Sequence, residues 1–319
     1  MRETTIPVYL ITGFLEGGKT TFLRFTLEQD YFRINGKTLL ILCEEGEEEY
    51  DRKALARYNT VVEVIEKEED LTKERLSAMQ FAHSPERVVM EYNGMWLVSK
   101  LHQMELPDGW GIEQEIICAD AGTFQMYMQN PSLKSIFMDM VKTTDMVVFN
   151  RSNMDLPLAN FRRSIKVNNQ GAEVVFENED GEISDIFSDS MPFDLDAPVI
   201  DIQPEDYGIW FVDATDHPDR YEGKTVRFKG RVMRPRGMGS KFFVPGRVAM
   251  TCCADDTTFL GYVCKSDFAP KLKEGQWVDV TAKIGIEKRM EYRGEEGVVL
   301  YADHIDVCDP LEQEMVYFN

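Results

Sequence analysis

The stretch that decides the fold of the first half of the chain reads VYLITGFLEGGKTT and runs from Val8 to Thr21. Its apolar start, Val8–Ile11, predicts a buried strand, and the residues from Lys19 to about Gln29 predict a helix. Between them, Gly13–Thr20 (GFLEGGKT) fits the pattern GxxxxGK(S/T) in full, in the strand-to-helix context that this pattern requires. Glycines let backbone N–H groups turn towards phosphate oxygens, and the helix start adds the positive end of its dipole. The stretch therefore predicts a loop that binds the phosphates of a nucleoside triphosphate; a glycine-rich turn with a chance lysine is the alternative.

The residues of this phosphate loop receive specific roles. The nucleotide-binding residues predicted here are Gly13, Glu16, Gly17, Gly18, Lys19, Thr20 and Thr21. Lys19 is expected to reach the β- and γ-phosphates, the Thr20 hydroxyl to bind Mg²⁺, and Thr21 to touch the α-phosphate. Glu16 is an acid in an anion-binding loop, so its side chain is expected to point away from the nucleotide. A carboxylate facing the phosphates would weaken binding by about 1 kcal/mol or more.

Further short apolar runs alternate with helical patterns through the first half of the chain. They are Thr38–Cys43, Arg87–Glu91, Glu115–Ala119 and Met146–Phe149. Strands that alternate with helices are typical of an α/β domain with a mainly parallel sheet. The sequence therefore predicts an α/β P-loop domain over residues 1–190.

The second half of the chain has a different composition and a different pattern of apolar residues. Residues 191–203, which contain Pro192 and Pro198, read as a linker, and a short helix is predicted over Glu205–Ala214. The strands predicted after it are Thr225–Met233, Phe242–Val244, Arg247–Cys252, Thr258–Val263, Trp277–Ile284 and Gly297–Val307. Short β-branched and aromatic runs between Gly, Pro and Asp turns predict a small all-β domain, an OB-like barrel, over residues 204–319.

Composition narrows the classes of partner. The chain of 319 residues has 35 Lys and Arg against 56 Asp and Glu, a formal charge of −21, and 43% hydrophobic residues. The hydrophobic content suffices for two packed domains, while the acid excess argues against a nucleic-acid partner and against anionic lipid. No run approaches the roughly 18–20 apolar residues of a membrane span. The N-terminus lacks a signal-peptide pattern and the six cysteines are scattered, which predicts a reduced, cytoplasmic location.

The motifs, taken in chain order, resemble the CobW-like metal-associated GTPases of the G3E/SIMIBI P-loop class. That family usually carries the loop as TGFLGxGKTTLL. Val88–Gly94 (VVMEYNG) resembles its apolar strand ending in ExxG, Cys118–Ala121 (CADA) resembles its VVDA strand end, and Phe149–Asn153 (FNRSN) stands where its NKxD motif lies. The resemblance covers residues 6–180.

The resemblance implies roles in chemistry for residues outside the loop. Glu91 would orient Mg²⁺ through water or polarise the attacking water, and Gly94 would donate its backbone N–H to the γ-phosphate. A carboxylate at the end of an apolar strand also lies beside the phosphate loop in doubly wound sheets, although a solvated strand-end acid is the alternative. The catalytic residues predicted in this way are Lys19, Thr20, Glu91 and Gly94.

The resemblance also implies that Asn150, Arg151 and Asn153 bind the base. In the family, the NKxD aspartate accepts hydrogen bonds from guanine and so rejects adenine. Asn153 replaces that aspartate with an amide, which gives a weaker bond than a carboxylate, and Asp155 is a candidate substitute. GTP is therefore the expected nucleotide, with ATP left open.

Two segments are candidates for binding a metal. Six of the eight residues in Glu44–Asp51 are acidic, and Glu45, with Glu91 and Thr20, is a candidate Mg²⁺ ligand. The same loop could instead hold zinc with Cys43, or simply be solvated. The family's Cys-x-Cys-Cys motif is missing, because no cysteine lies between Cys43 and Cys118.

The second metal candidate is the pair Cys252 and Cys253. It lies in Arg247–Asp256 (RVAMTCCADD), which with Tyr221–Val232 resembles the soluble C-terminal domain of uncharacterised, permease-associated bacterial membrane proteins. Neighbouring cysteines on a strand point to opposite faces, so a zinc site would need Cys264, Asp255 or His304 as well. The alternative is that these cysteines are small core residues.

The sequence thus predicts a Mg²⁺-dependent nucleoside triphosphatase, and by resemblance a GTPase in metal homeostasis. Its cargo would be a metal, zinc first, its partner a metal-recipient protein, and a homodimer is open. Two other classes remain: a nucleotide-gated binding module with little turnover, and a metal-binding or sensor protein acting through the barrel.

Overall fold

The computed structural model describes residues 5–44, 50–183, 191–250, 257–292 and 294–316. The chain divides into two compact units. The first is bounded by Met1–Leu158 with Gly171–Ile186, and the second by Ala159–Gln170 with Phe187–Asn319. In the described ranges, no helix has the length and apolar character needed to cross a membrane.

The first unit is built on a parallel sheet. Its strands are β1 (Ile6–Thr12), β2 (Thr38–Leu42), β3 (Thr60–Val64), β4 (Arg87–Glu91), β5 (Trp110–Asp120), β6 (Met146–Asn150), β7 (Glu173–Asn178) and β8 (Gly181–Glu182). They lie in the order β3-β2-β4-β1-β5-β6-β7-β8. All neighbours pair in parallel except β7 and β8. The predicted α/β domain with a mainly parallel sheet is confirmed.

In the part of this unit that the structure describes, six α-helices connect the strands. They are α1 (Lys19–Glu28), α2 (Arg52–Ala56), α3 (Lys73–His83), α4 (Val98–Gln103), α5 (Ala121–Gln129) and α6 (Pro131–Val141). Several start at side-chain caps; for example, Asp120 accepts a hydrogen bond from the N–H of Gly122 at 2.7 Å. Leu23 and Leu27 of α1 pack on a buried cluster that includes Ile11 and Ile116. This packing fixes α1 directly after the central strand β1.

The order of the strands positions the candidate site. β1 lies between β4 and β5, so its carboxyl end is flanked by the ends of those two strands, Glu91 and Asp120. In open α/β sheets, ligands bind at such carboxyl ends. The phosphate loop, which leaves β1 at Thr12, therefore starts at the binding edge of the sheet.

In its described residues, the second unit contains the helix α7 (Leu158–Asn168, all but its first residue), the helix α8 (Tyr207–Asp216) and eight strands, besides short 3-10 turns. The strands are β9 (Ile200–Asp201), β10 (Thr225–Met233), β11 (Phe242–Met250), β12 (Thr257–Gly261), β13 (Val263–Lys265), β14 (Trp277–Lys288), β15 (Glu296–Val307) and β16 (Met315–Val316). Five of them close a ring in the order β10-β11-β13-β15-β14 and back to β10. The predicted small barrel is confirmed.

The interior of the second unit is aromatic. Trp210 of α8 is fully buried, and its ring centroid lies 4.9 Å from that of Phe228 on β10. The side chain of Asp216 holds α7 against α8, accepting from Arg162 Nε at 2.8 Å and pairing with Lys166 Nζ at 2.9 Å. Residues 191–203, predicted as a linker, contain β9, which pairs with β10.

Candidate nucleotide-binding site

The phosphate loop can be built only with glycine at three positions. Gly13 has φ of 128°, and a Cβ there would lie 2.0 Å from the carbonyl oxygen of Cys118. A Cβ at Gly17 would lie 2.7 Å from the same oxygen, and one at Gly18 would lie 2.4 Å from Nδ2 of Asn150. These glycines bring the loop backbone against the ends of β5 and β6, as close approach requires.

Glu16 also has a left-handed backbone, with φ of 61°. A side chain in this conformation costs about 1–2 kcal/mol, a cost that glycine would avoid. The Glu16 side chain is exposed, and the backbone carbonyl of Glu16 accepts a hydrogen bond from Arg151 Nη1 at 3.2 Å. The loop thus tolerates an acid at this position because its side chain is solvated.

Lys19 is the buried cation of the site, with a side chain only 3% exposed. Its Nζ donates to the carbonyls of Gly13 at 2.7 Å and Phe14 at 3.0 Å. It also forms an ion pair with Oε1 of Glu44. The other oxygen of Glu44, Oε2, accepts from the backbone N–H of Gly94 at 3.4 Å. The loop therefore presents an ammonium group that is already in contact with an anion.

Thr20 and Glu91 form the second polar contact of the loop. Thr20 Oγ1 donates to Glu91 Oε1 at 2.8 Å, and the hydroxyl of Tyr50 donates to Glu91 Oε2. Burial raises the pKa of Glu91, while the hydrogen bonds from Tyr50 and Thr20 and the charge of Lys19 oppose that rise. A hydroxyl beside a carboxylate is a set of hard oxygen donors that fits Mg²⁺.

Gly94 lies against the loop. A Cβ at this position would be 2.2 Å from the carbonyl oxygen of Gly13, so only glycine allows the contact. Lys19, Thr20, Glu91 and Gly94, predicted as catalytic residues, are thereby linked by direct contacts with one another, with the loop or with Glu44.

Of the residues predicted to bind the base, Asn150 and Arg151 line a cavity and Asn153 does not. Asn150 Nδ2 donates to the carbonyl of Gly17 at 2.6 Å, and Arg151 pairs with Asp120. Both line a cavity of about 1050 Å³ together with Thr21 and Glu177. Burial raises the pKa of Glu177.

Asn153 is exposed and belongs to a local turn. Its Oδ1 accepts from the N–H of Asp155 at 3.0 Å. Asn153 is not one of the described residues that line the cavity beside Asn150.

The predicted metal ligands are only partly visible. Glu45, Cys252 and Cys253 lie outside the described residues. Burial raises the pKa of the Cys43 and Cys118 thiols to about 12. Across the described part of the chain, no group of three or more His, Cys, Asp or Glu side chains could hold a metal ion.

Sequence reasoning missed two residues that contact the loop. Glu44 was considered only as one acid of Glu44–Asp51, and charge alone does not say which acid of a run turns inward. Tyr50, the donor to Glu91, lies inside that run between Glu49 and Asp51, and an aromatic ring among acids was the available signal.

A parallel sheet, a glycine loop leading into a helix and a buried lysine beside a hydroxyl–carboxylate pair define a P-loop nucleotide-binding domain. Residues 7–176 match the family described as CobW/HypB/UreG, nucleotide-binding domain. The chain belongs to this family, the G3E P-loop GTPases of the metal-homeostasis type. Residues 185–318 match the DUF1980 C-terminal domain. None of the curated proteins matches the chain.

Solved structures similar to this chain include three proteins. Hydrogenase maturation factor HypB from Archaeoglobus fulgidus is 14% identical, with a TM-score of 0.40 over 55% of this chain and 82% of that one. The Zn(II)-bound YjiA GTPase from E. coli is 19% identical, with a TM-score of 0.41 over 82% and 89%. The mitochondrial single-stranded DNA binding protein Rim1 from S. cerevisiae is 13% identical, with a TM-score of 0.19 over 28% and 97%.

Proposed function

We propose that this chain is a Mg²⁺-dependent nucleoside triphosphatase that hydrolyses GTP. The observation that supports this most directly is the buried Lys19 ammonium next to the Thr20–Glu91 hydrogen bond. A cation of this kind beside a pair of hard oxygen donors suits a polyphosphate with its metal ion. Family membership supports guanine as the base.

Each residue has a distinct part in the proposed reaction. Lys19 binds the β- and γ-phosphates and stabilises the charge that develops as water attacks in line. Thr20 and Glu91, with Glu45 as a further candidate from the sequence, would hold Mg²⁺, which when bound would supply positive charge beside the phosphates. Glu91 accepts a proton or a hydrogen bond from water more readily because burial raises its pKa. Gly94 offers its N–H to the γ-phosphate.

Phosphate release from GTP tests the enzymatic function. We expect Lys19→Ala to lose about 100-fold or more of the activity, because a buried charge-stabilising donor disappears. Lys283→Ala, which removes an exposed lysine of β14, is the control for loss of one positive charge. If Lys19→Ala releases phosphate as fast as the wild type, the enzyme proposal is wrong, and a nucleotide-gated binding module becomes the better description.

The choice of base needs its own measurement. Asn150 and Arg151 line the cavity at the end of β6, whereas Asn153 is engaged with Asp155. Competition between GTP and ATP would reveal the selectivity. A preference for GTP below about tenfold, or about 1.4 kcal/mol, would mean that guanine selection is relaxed.

We further propose metal delivery as the process that hydrolysis serves, with zinc as the first candidate cargo and a metal-recipient protein as partner. The support is the metal-homeostasis type of the family and the Cys252–Cys253 pair of the sequence. Zinc titration of the full chain should give stoichiometric binding that is lost in Cys252→Ser or Cys253→Ser. Cys308→Ser is the matched control. Unchanged binding in both variants would remove the proposed site.

A further inference from the structure

Two hydrogen-bond donors of the site converge on one carboxylate. Oε1 of Glu44 pairs with the Lys19 ammonium, and Oε2 accepts from the Gly94 amide at 3.4 Å. An ammonium group and a backbone N–H are the kinds of donor that hold a terminal phosphate oxygen. Glu44 therefore satisfies, within the chain, the groups that the proposed function assigns to the γ-phosphate.

The donors of Lys19 have no spare capacity. An ammonium group has three N–H donors, and these meet the carbonyls of Gly13 and Phe14 and the carboxylate of Glu44. The two carbonyls belong to the phosphate loop itself. Glu44 is thus the partner of Lys19 that a γ-phosphate can replace without rebuilding the loop.

Burial makes this ion pair consequential. The side chains of Lys19 and Glu44 are 3% and 11% exposed. Removing one partner of a buried pair is costly unless another anion takes its place. A triphosphate supplies such an anion, whereas a diphosphate ends at the β-phosphate.

We propose that Glu44 is a specificity residue that discriminates between nucleoside diphosphate and triphosphate. Its carboxylate occupies the position of the γ-phosphate, so a diphosphate binds beside it and a triphosphate must displace it. This inference rests on the proposed function.

The surroundings of Glu44 allow it to leave. It borders a cavity of about 590 Å³ whose lining also includes Asn93, Met95 and Glu66. Glu91 does not substitute for Glu44, because its two oxygens accept from Thr20 and Tyr50. The exchange of Glu44 for a γ-phosphate therefore leaves the Thr20–Glu91 contact in place.

Equilibrium binding of GDP and of a non-hydrolysable GTP analogue to the full chain tests the inference. For Glu44→Gln we expect the triphosphate analogue to bind about tenfold more tightly, which is about 1.4 kcal/mol, while the GDP affinity changes by less than about threefold. Glu66→Gln is the matched control, since it removes the same charge from the same cavity without a contact to Lys19. Its ratio of the two affinities should equal that of the wild type.

Three results would overturn the inference. In the first, Glu44→Gln tightens both nucleotides equally, which indicates a general effect of charge. In the second, the ratio of the affinities for the triphosphate analogue and GDP stays at the wild-type value in both Glu44→Gln and Glu44→Ala. The Glu44→Ala variant is included so that the result does not depend on one substitution. In the third, neither nucleotide binds to the wild type or to Glu44→Gln, which refutes the proposed function itself.

Discussion

Glu16 holds a left-handed backbone inside the phosphate loop, where the resembling family usually has glycine. Replacing it with glycine should therefore stabilise the first unit. The conformation costs a residue with a side chain about 1–2 kcal/mol. Glycine gives back about 0.5–1 kcal/mol through the greater freedom of its unfolded chain. The net gain expected for Glu16→Gly is about 0.5–1 kcal/mol in the free energy of unfolding.

A second variant separates the backbone effect from the charge. Glu16→Gln removes the carboxylate but keeps a side chain at φ of 61°. Because Glu16 is exposed, its neutralisation should leave stability nearly unchanged. Both variants should bind a triphosphate more tightly by a similar factor below about tenfold, since both lose a negative charge near the phosphates.

Hydrogen exchange at increasing urea, read on peptides of β1, measures the stability of the first unit. Peptides of β14 in the second unit provide an internal reference, and their midpoint should not move. A Glu16→Gly variant no more stable than Glu16→Gln would refute the reasoning. It would mean that the loop does not enforce the left-handed conformation.

Two further perturbations address other parts of the chain. The hydrogen bond to Glu115 raises the pKa of His102. Protonated His102 should therefore stabilise the first unit at pH values below the ordinary His pKa of about 6.5. This contribution should vanish as the pH rises through the raised pKa of the folded state. His102→Gln should thus lower stability by at most about 0.5 kcal/mol near pH 6, because partial exposure screens the pair with Glu115, and by almost nothing at pH 9 in urea unfolding. A deficit independent of pH would contradict the linkage. Asp216→Asn should destabilise the second unit by about 2–3 kcal/mol, because it weakens a buried contact with two cations, whereas Asp267→Asn breaks only an exposed pair. Equal unfolding midpoints for these two variants would show that the buried contact adds no stability.

The parts of the fold that were predictable carry strong local signals. The strand β1, the phosphate loop and α1 follow from one uninterrupted pattern, and β10 was predicted with its observed bounds. No strand was predicted at β3, because Glu63 begins the acid-rich stretch Glu63–Asp70, which reads as surface. None was predicted at β7, because its apolar run Val174–Phe176 is short and has an acid on either side. Both segments are strands because they pair with a neighbouring strand of the sheet, β3 with β2 and β7 with β6.

β11 shows how a local signal can mislead. Pro245 and Gly246 read as a turn, so two strands were predicted where one runs from Phe242 to Met250. Pro245 lies opposite Val232 of β10, and Gly246 lies opposite both Arg231 of β10 and Gly261 of β12, where the pairing with β12 begins. The strands paired with β11 change at this point, and a continuous strand can therefore contain the Pro245–Gly246 pair.

The candidate site was predictable where motif and spacing coincide, and not where a partner is chosen in three dimensions. The loop lysine and hydroxyl could be named from sequence. The pairing of Glu44 with Lys19 could not, because several acids of one run compete for a single buried cation and only the folded backbone decides among them.

The chain passes between its two units more than once, since α7 belongs to the second unit while the strands on either side of it, β6 and β7, belong to the first. A cut at residue 190 would therefore not yield two independent pieces. The barrel fragment would lack the helix that Asp216 holds, and the nucleotide-binding fragment would keep that helix without its contacts to Asp216. The short segment from Arg151 to Pro157 would then join the end of β6 to a helix that has lost its contacts with Asp216. The effects of truncating this protein should accordingly reflect the lost contacts between α7 and Asp216 as well as the missing domain.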